Sequence, residues 1–336
     1  MKRETGIDLV RITGMFFVLG VHQFLYNGFY YEPQQGVLIW AADVFRWLFY
    51  CCNGIFMMLS GYLRCYKTQF RECYRGLIPI LIGYSLTCLV VYPVMYLSGE
   101  KLNVFGWISK YITFGNYAWY LEMYLGLTLF SPVINLGLRQ MRDRDLAIFA
   151  LIMVLITSAH GITSLDVIPN YWSALYPVTY YVLGAAIRRL QPRVKVWQGL
   201  GAALLVCMGL ACISLLSTDK GFTKGFTQGY GGFWTMLTAA CVFLGLYRVK
   251  AGERMGRILG WLSGGVFEGF LLSKAFDLWT YPLVRQWHHP ETYLLVLVTV
   301  TVPSFICCLL LGKVFSLAAN AIANRLSWYQ KRISNV

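Results

Sequence analysis

Charged residues are scarce in this chain, since Asp, Glu, Lys and Arg make up 13% of its 336 residues, whereas a water-soluble protein carries about 25%. Hydrophobic residues make up 57%. This composition excludes a disordered chain, a fibrous repeat and an ordinary cytosolic enzyme. It predicts a protein whose surroundings are mostly lipid.

Acidic residues are the scarcer of the two signs, with 15 Asp and Glu against 29 Lys and Arg, which gives a formal net charge of +14. In a soluble protein this excess would suggest a nucleic-acid partner. Here most of the basic residues lie in short segments between apolar runs. They therefore predict membrane topology and contact with anionic lipid, and no nucleic-acid partner.

The sequence also lacks metal-binding spacings. Its ten cysteines form no CxxC pair and no cluster with histidine, so unpaired packing thiols are expected. The neighbours His288 and His289 point in different directions on most backbones, which argues against a shared metal ion. No metal site is predicted.

Ten apolar segments approach the length of a spanning helix, which needs about 20 mostly apolar residues. They are Leu9–Phe29, Val44–Leu63, Leu77–Leu97, Ala118–Leu138, Leu146–Leu165, Trp172–Ile187, Trp197–Leu216, Gly231–Tyr247, Ile258–Tyr281 and Thr292–Gly312. We therefore predict an all-α polytopic membrane protein. One integral domain would cover residues 1–312, and residues 313–336 would form an amphipathic tail on the cytoplasmic surface.

The distribution of Lys and Arg predicts the orientation of these spans. With the N-terminus in the cytoplasm, every connecting segment on the inner side is basic, as in 64–75, 139–144 and 188–195. The positive-inside rule then predicts ten spans with both termini in the cytoplasm.

Ionisable side chains inside a span are costly, which makes them candidates for function. Arg11 and His22 are eleven residues apart in the first span, close to three helical turns. Both therefore project from one face, about 16 Å apart along the axis. Asp8 precedes Arg11 by three residues and is expected to hold its guanidinium. An anchoring arginine and a histidine hydrogen-bonded between helices would explain the same pattern without catalysis.

Several motifs, in order along the chain, resemble the acyltransferase-3 family of membrane enzymes, which O-acylate cell-surface polysaccharides and related glycans. Arg11, ten residues and then His22 match the family's Arg/Lys-x10-His mark in its first helix. The further matching segments are Ile55–Leu63 (IFMMLSGYL), the basic loop from Arg71 through Arg75 to Pro79, Trp119–Pro132 (starting WYL) and Tyr180–Gly184 (YYVLG). In one place the chain departs from the family: Ser273 stands where many members have a late histidine, which suggests a different acceptor.

The resemblance implies a location in the bacterial plasma membrane, acetyl-CoA as the cytoplasmic acyl donor, and an acceptor hydroxyl on an envelope glycan or lipid-linked sugar. His22 would act as the general base or would accept the acyl group itself, because imidazole accepts a proton near neutral pH. Arg11 would stabilise the thioester oxyanion or hold the CoA end. Arg71 and Arg75 would bind donor phosphates, or would be ordinary positive-inside residues.

Other polar residues in the spans are supporting candidates. Ser60 would relay the acyl group or pack between helices. Glu122 would orient a sugar or pair with an interfacial cation. Glu268 is expected to face the interior of the bundle, and Lys274 and Asp277, three residues apart, are expected to pair.

A proton-coupled transporter or flippase is the alternative function. Ten helices with His, Glu and Asp inside them also describe such a carrier, with His22 and Glu268 as proton sites and no need for CoA. The sequence shows no inverted repeat and no paired Gly/Pro-broken helices, which favours the acyltransferase.

Overall fold

The computed structural model describes residues 4–29, 36–158, 169–216, 229–287 and 293–333. Within these ranges every regular element is a helix. The α-helices are α1 (Thr5–Tyr26), α2 (Val37–Tyr50), α3 (Cys52–Arg64), α4 (Phe70–Tyr74), α5 (Leu77–Leu97), α6 (Val104–Ile112), α7 (Trp119–Gln140), α8 (Asp143–Ser158), α9 (Tyr176–Leu190), α10 (Val196–Leu216), α11 (Phe233–Leu246), α12 (Glu253–Ser263), α13 (Val266–Trp287) and α14 (Tyr293–Ile333).

Six helical stretches of the described residues are long and apolar enough to cross a membrane. They are Thr5–Tyr26, Val37–Arg64, Phe70–Leu97, Trp119–Gln140, Val196–Ser214 and Leu297–Leu326. Together they identify an all-helical, multi-pass membrane protein. A helix is present at each of the ten predicted segments, but the remaining ones are shorter or more polar. The count of ten crossings and the cytoplasmic position of both termini stay predictions.

Two predicted spans are interrupted in the structure. A turn at Cys51 separates α2 from α3, and the break between α12 and α13 falls at Gly264 and Gly265, inside the predicted ninth span. A Cβ on Gly265 would overlap the backbone of Lys313. The chain therefore turns where glycine allows two backbones to approach closely.

The helix α14 is longer than the predicted tenth span. It runs without interruption from Tyr293 to Ile333, so the predicted boundary between residues 312 and 313 falls inside it. The position of the tail on the cytoplasmic surface stays a prediction.

The first helix lies in the middle of the bundle. It contacts α2, α3, α11, α12, α13 and α14, and Val10, Val18 and Phe24 are buried in its interfaces. Because α1 is surrounded by other helices, its polar side chains face protein rather than lipid. This position allows α1 to line both of the cavities that are described below.

The helices α3 and α9 cross with glycine on both sides of the contact. A Cβ on Gly61 would overlap the carbonyl oxygen of Tyr181, and a Cβ on Gly184 would overlap that of Met58. Small residues at a helix crossing let backbones approach and gain dispersion contacts, which drive helix association in lipid. This crossing places Ser60 and Arg64 of α3 relative to the rest of the bundle.

A polar cluster ties the start of α1 to α3 and α9. The Tyr62 hydroxyl donates to Glu4 Oε2 at 2.8 Å, and Arg188 Nη1 donates to Glu4 Oε1 at 2.7 Å and to the Tyr62 hydroxyl oxygen at 2.9 Å. Glu4 directly precedes α1. The cluster therefore fixes the position of α1 along its axis, and with it the depth of Arg11.

Tyr62→Phe is expected to destabilise the protein by about 1 kcal/mol, because it removes one hydroxyl that both donates and accepts in this cluster. The midpoint of thermal unfolding in detergent would measure the change. Asp145→Asn is the matched control, since it removes only the largely exposed pair that Asp145 makes with Arg142, and such pairs contribute little. Equal midpoints for the two variants would contradict the role assigned to the cluster.

Candidate functional site

A cavity of about 330 Å³ lies between α1, α3, α5, α7 and α13. Its walls are mostly apolar, and its charged side chains are the guanidinium groups of Arg11 and Arg64. The hydroxyls of Ser60 and Ser263 also line it. We call it the Arg11 cavity. Two fixed cations beside an apolar chamber suit a ligand with an anionic end and an uncharged arm.

Arg11 forms an ion pair with Asp8, three residues earlier on the same helix, as their spacing predicts. Arg11 Nη1 lies 3.6 Å from Asp8 Oδ1. The Ser263 hydroxyl donates to the same carboxylate oxygen at 2.5 Å. Asp8 is buried, whereas the Arg11 side chain is 31% exposed. The carboxylate thus helps to orient the guanidinium at the wall of the cavity.

Arg64 is the second cation of this cavity, although its position in a basic segment of the sequence predicts only a residue of a cytoplasmic loop. It is the last residue of α3, and its Nη2 donates to the Tyr124 hydroxyl at 2.6 Å while Nη1 donates to Thr128 Oγ1 at 3.1 Å. The signal that could have found it is its distance of four residues from Ser60. That spacing places both side chains on one face of the helix.

A second cavity, of about 260 Å³, lies further along α1 and is more polar. We call it the His22 cavity. Its charged or titratable side chains include His22, Lys274 and Asp277, together with Glu100 and Lys110, which form an ion pair at its edge. The aromatic residues Tyr26, Tyr117 and Trp119 complete much of the wall.

A buried carboxylate faces the imidazole in this cavity. His22 Nδ1 lies 3.5 Å from Asp277 Oδ2, and Asp277 is 3% exposed. This distance is at the outer limit for a hydrogen bond, and the geometry at His22 Nδ1 does not meet the criteria for one. A small rotation would close it, as often happens when a catalytic site binds its substrate. A carboxylate at Nδ1 holds the proton there and leaves Nε2 free to accept one.

The predicted pair of Lys274 with Asp277 is wrong. Among the described ion pairs, Asp277 is matched with His22, while the Lys274 ammonium lies 5.7 Å from the centroid of the Tyr26 ring. A pair three residues apart on a helix gains only about 0.2–0.5 kcal/mol. The Asp277 carboxylate is therefore matched with a residue of α1 instead of one on its own helix.

Phe270 lines both cavities. Arg11 and His22 share one face of α1, but they line different cavities, and Phe270 is the residue that the two linings have in common. Tyr120 packs against this ring edge to face, with centroids 6.2 Å apart at an interplanar angle of 81°. The site is thus two neighbouring chambers with one aromatic residue in common.

Ser60 and Glu268 are placed in different environments. The Ser60 hydroxyl lines the Arg11 cavity and donates to the carbonyl oxygen of Phe56 at 3.0 Å. Glu268 is buried, as expected, but it packs against α5, where a Cβ on Gly83 would lie 2.8 Å from its Oε1. Glu268 lines neither cavity.

Arg71, Arg75 and Glu122 are exposed and line neither cavity. Arg71 lies in α4 and Arg75 follows it, close to the cytoplasmic end of the bundle in the predicted orientation. Glu122 lies in the first turn of α7. Their roles in donor and acceptor binding stay predictions.

No group of three or more His, Cys, Asp or Glu side chains suited to a metal ion occurs within the described ranges. His288 and His289 lie outside those ranges.

Comparison with protein families agrees with the motifs. The acyltransferase-3 family model, described as an acyltransferase domain, matches residues 4–313. No curated protein and no solved structure matches the chain. The match covers nearly the whole sequence and includes α1 with Arg11 and His22. The chain belongs to the acyltransferase-3 family and is a membrane acyltransferase.

Proposed function

We propose that this protein transfers an acetyl group from cytoplasmic acetyl-CoA to a hydroxyl of an envelope glycan or lipid-linked sugar, across the bacterial plasma membrane. The main support for the proposal is that α1 lines two neighbouring cavities with different chemistry. One chamber holds two guanidinium groups and apolar walls, and the next holds a histidine beside a buried carboxylate.

The Arg11 cavity suits the donor. Coenzyme A carries phosphates and a pyrophosphate, which guanidinium groups bind by charge-assisted hydrogen bonds. Arg64 and Arg11 would hold the anionic part, and the apolar wall that includes Phe56 and Leu59 would receive the uncharged arm. Arg71 and Arg75 would meet the remaining phosphates outside the cavity.

The distance along α1 supports one of the two roles that the sequence left open for Arg11. Eleven residues of helix separate its Cα from that of His22 by about 16 Å, and helical side chains lean towards the N-terminus. The Arg11 side chain is therefore expected to extend away from His22. A single carbonyl cannot contact both groups, so Arg11 would hold the CoA end rather than the oxyanion formed beside His22.

The His22 cavity suits the acceptor. His22 Nε2 would take the proton of a sugar hydroxyl, whose oxygen then forms a bond to the thioester carbonyl carbon. The carbon–sulfur bond breaks, and the CoA thiolate leaves and takes up a proton. Asp277 would position the imidazole and stabilise its protonated form. Burial raises the pKa of the Tyr117 hydroxyl, so that Tyr117 stays protonated and can donate to the acceptor.

A transfer assay tests the proposal. Membranes that contain the protein would be supplied with acetyl-CoA labelled in the acetyl group, and label would be followed into glycan and lipid-linked sugar fractions. Label is expected in one of these fractions, and its absence from all of them would contradict the proposal. Proton-driven solute uptake by vesicles without CoA would instead support a carrier.

Arg11→Gln and Arg64→Gln are each expected to raise the KM for acetyl-CoA by about tenfold or more, because a charge-assisted hydrogen bond contributes about 1.5–3 kcal/mol. The kcat should fall less, since neither residue lies beside His22. Initial rates over a range of acetyl-CoA concentrations would separate the two constants. Arg254→Gln, on the exposed side of α12, is the control, and an equal rise in KM for it would contradict the assignment.

A further inference from the structure

Phe270 lines both cavities, and the backbone beside it packs closely against the neighbouring helix. A Cβ on Gly269 would lie 2.7 Å from the carbonyl oxygen of Cys308, so α13 and α14 are in backbone contact beside Phe270. The Ser273 hydroxyl also donates to the Phe270 carbonyl oxygen at 2.7 Å. Rotation of the Phe270 ring would therefore join the cavities with less disturbance than a shift of α13, whose backbone is packed against α14 at this point.

The ring has aromatic neighbours on the donor side. It packs edge to face on Tyr120, and the Tyr120 ring lies 5.8 Å from that of Phe56, which also lines the Arg11 cavity. On the other side, Phe270 faces the chamber with His22 and Asp277. An apolar side chain is thus shared by the linings of an apolar chamber and a polar one.

The chemistry of the proposed reaction requires such a boundary. A base that removes a proton from a sugar hydroxyl can also remove one from water. Water would then form the bond to the thioester carbonyl carbon, the carbon–sulfur bond would break, and acetate and CoA would be the products. Exclusion of water from a reactive group is a known use of a closed site.

Resting on the proposed function, we infer that the Phe270 ring is a partition that keeps water of the His22 cavity away from the thioester and limits the length of the acyl chain that can pass. The ring turns aside when acceptor and donor are both bound. A smaller side chain at this position joins the two chambers permanently.

Phe270→Ala is expected to increase acetyl-CoA hydrolysis without acceptor by about tenfold, because water is no longer excluded from the thioester. It should also allow transfer of butyryl and hexanoyl groups. Release of CoA thiol and labelled-acyl transfer would be measured on the same membranes. Phe270→Leu is a milder variant and should lie between Ala and Phe. Phe276→Leu, on the same helix but in the cluster around Met15 and Leu19, is the control.

A labelling experiment tests the partition without using catalysis. Ser60→Cys places a thiol in the Arg11 cavity, and intact cells would be treated with a small, charged, membrane-impermeant methanethiosulfonate. Mass spectrometry of the peptide with residue 60 should show protection when Phe270 is present and modification in the Phe270→Ala background.

Different results would contradict the partition and the proposed function. Protection of the residue-60 thiol in both backgrounds, or unchanged hydrolysis and chain preference in Phe270→Ala, would overturn the partition even if acetyl transfer is normal. Absence of acetyl transfer by the wild-type protein would count against the proposed function alone, because the labelling experiment would still report on the partition.

Discussion

His22→Ala is expected to lower the kcat of acyl transfer by about 10²–10⁴-fold, the contribution of a positioned general base. The KM for acetyl-CoA should change little, since the donor is held in the neighbouring chamber by Arg11 and Arg64. Transfer of labelled acetyl groups at saturating donor would measure the effect. Added imidazole should restore part of the rate in this variant, because the truncated side chain leaves space in a chamber of about 260 Å³.

Asp277→Asn is the companion variant for the same prediction. It keeps the shape of the side chain but removes the charge that holds the His22 imidazole, so kcat should fall without a rise in KM. Asp145→Asn, on α8 and outside both chambers, is the matched control. A His22→Ala variant with normal kcat, or one that imidazole does not rescue at all while Asp277→Asn is fully active, would contradict the assignment of the base.

The second large effect is expected at the crossing of α3 and α9. Gly61→Ala and Gly184→Ala each force a methyl group into a backbone carbonyl of the facing helix, and overpacking of this kind costs about 3 kcal/mol or more when neither backbone can move. The two helices would separate, and the Ser60 and Arg64 side chains of α3 would leave their places in the donor chamber. Unfolding in detergent and the yield of monodisperse protein would measure the loss.

Gly137→Ala on α7 is the control for these variants. No atom lies within 4 Å of the position that its Cβ would take, and alanine favours a helix over glycine by about 1 kcal/mol. This variant should therefore be as stable as the wild type or slightly more stable. If Gly61→Ala behaves in the same way, the close contact of α3 and α9 is not essential to the fold.

The sequence predicted those parts of the fold that depend on local pattern. The length of the apolar run predicted α5 with the bounds that the structure shows, Leu77–Leu97. The helical spacing predicted the contact of Asp8 with Arg11. The break at Gly264 was missed because an apolar run hides a turn whose cause is a close approach of α14. The local sequence pattern predicts a helix well, but it does not predict which other helices that helix will contact.

The candidate site shows the same limit. His22 was found because it is an ionisable residue in an apolar run, but its partner Asp277 lies 255 residues further along the chain, and no spacing rule connects them. Arg64 was counted with the loop charges because it ends a helix. That Phe270 lines both cavities could not be predicted, since no local pattern distinguishes it from the other phenylalanines of the chain.

The length of α14 has a mechanical consequence. Its 41 residues extend about 60 Å, about twice the hydrocarbon thickness of a bilayer. At the average tilt of a spanning helix, about 20°, a helix of this length extends beyond the hydrocarbon region, and a rotation of 10° about its middle would move each end by about 5 Å. The helix α14 packs along α13. A spin label in the last turns of α14 would therefore show small rearrangements around Phe270 as larger displacements.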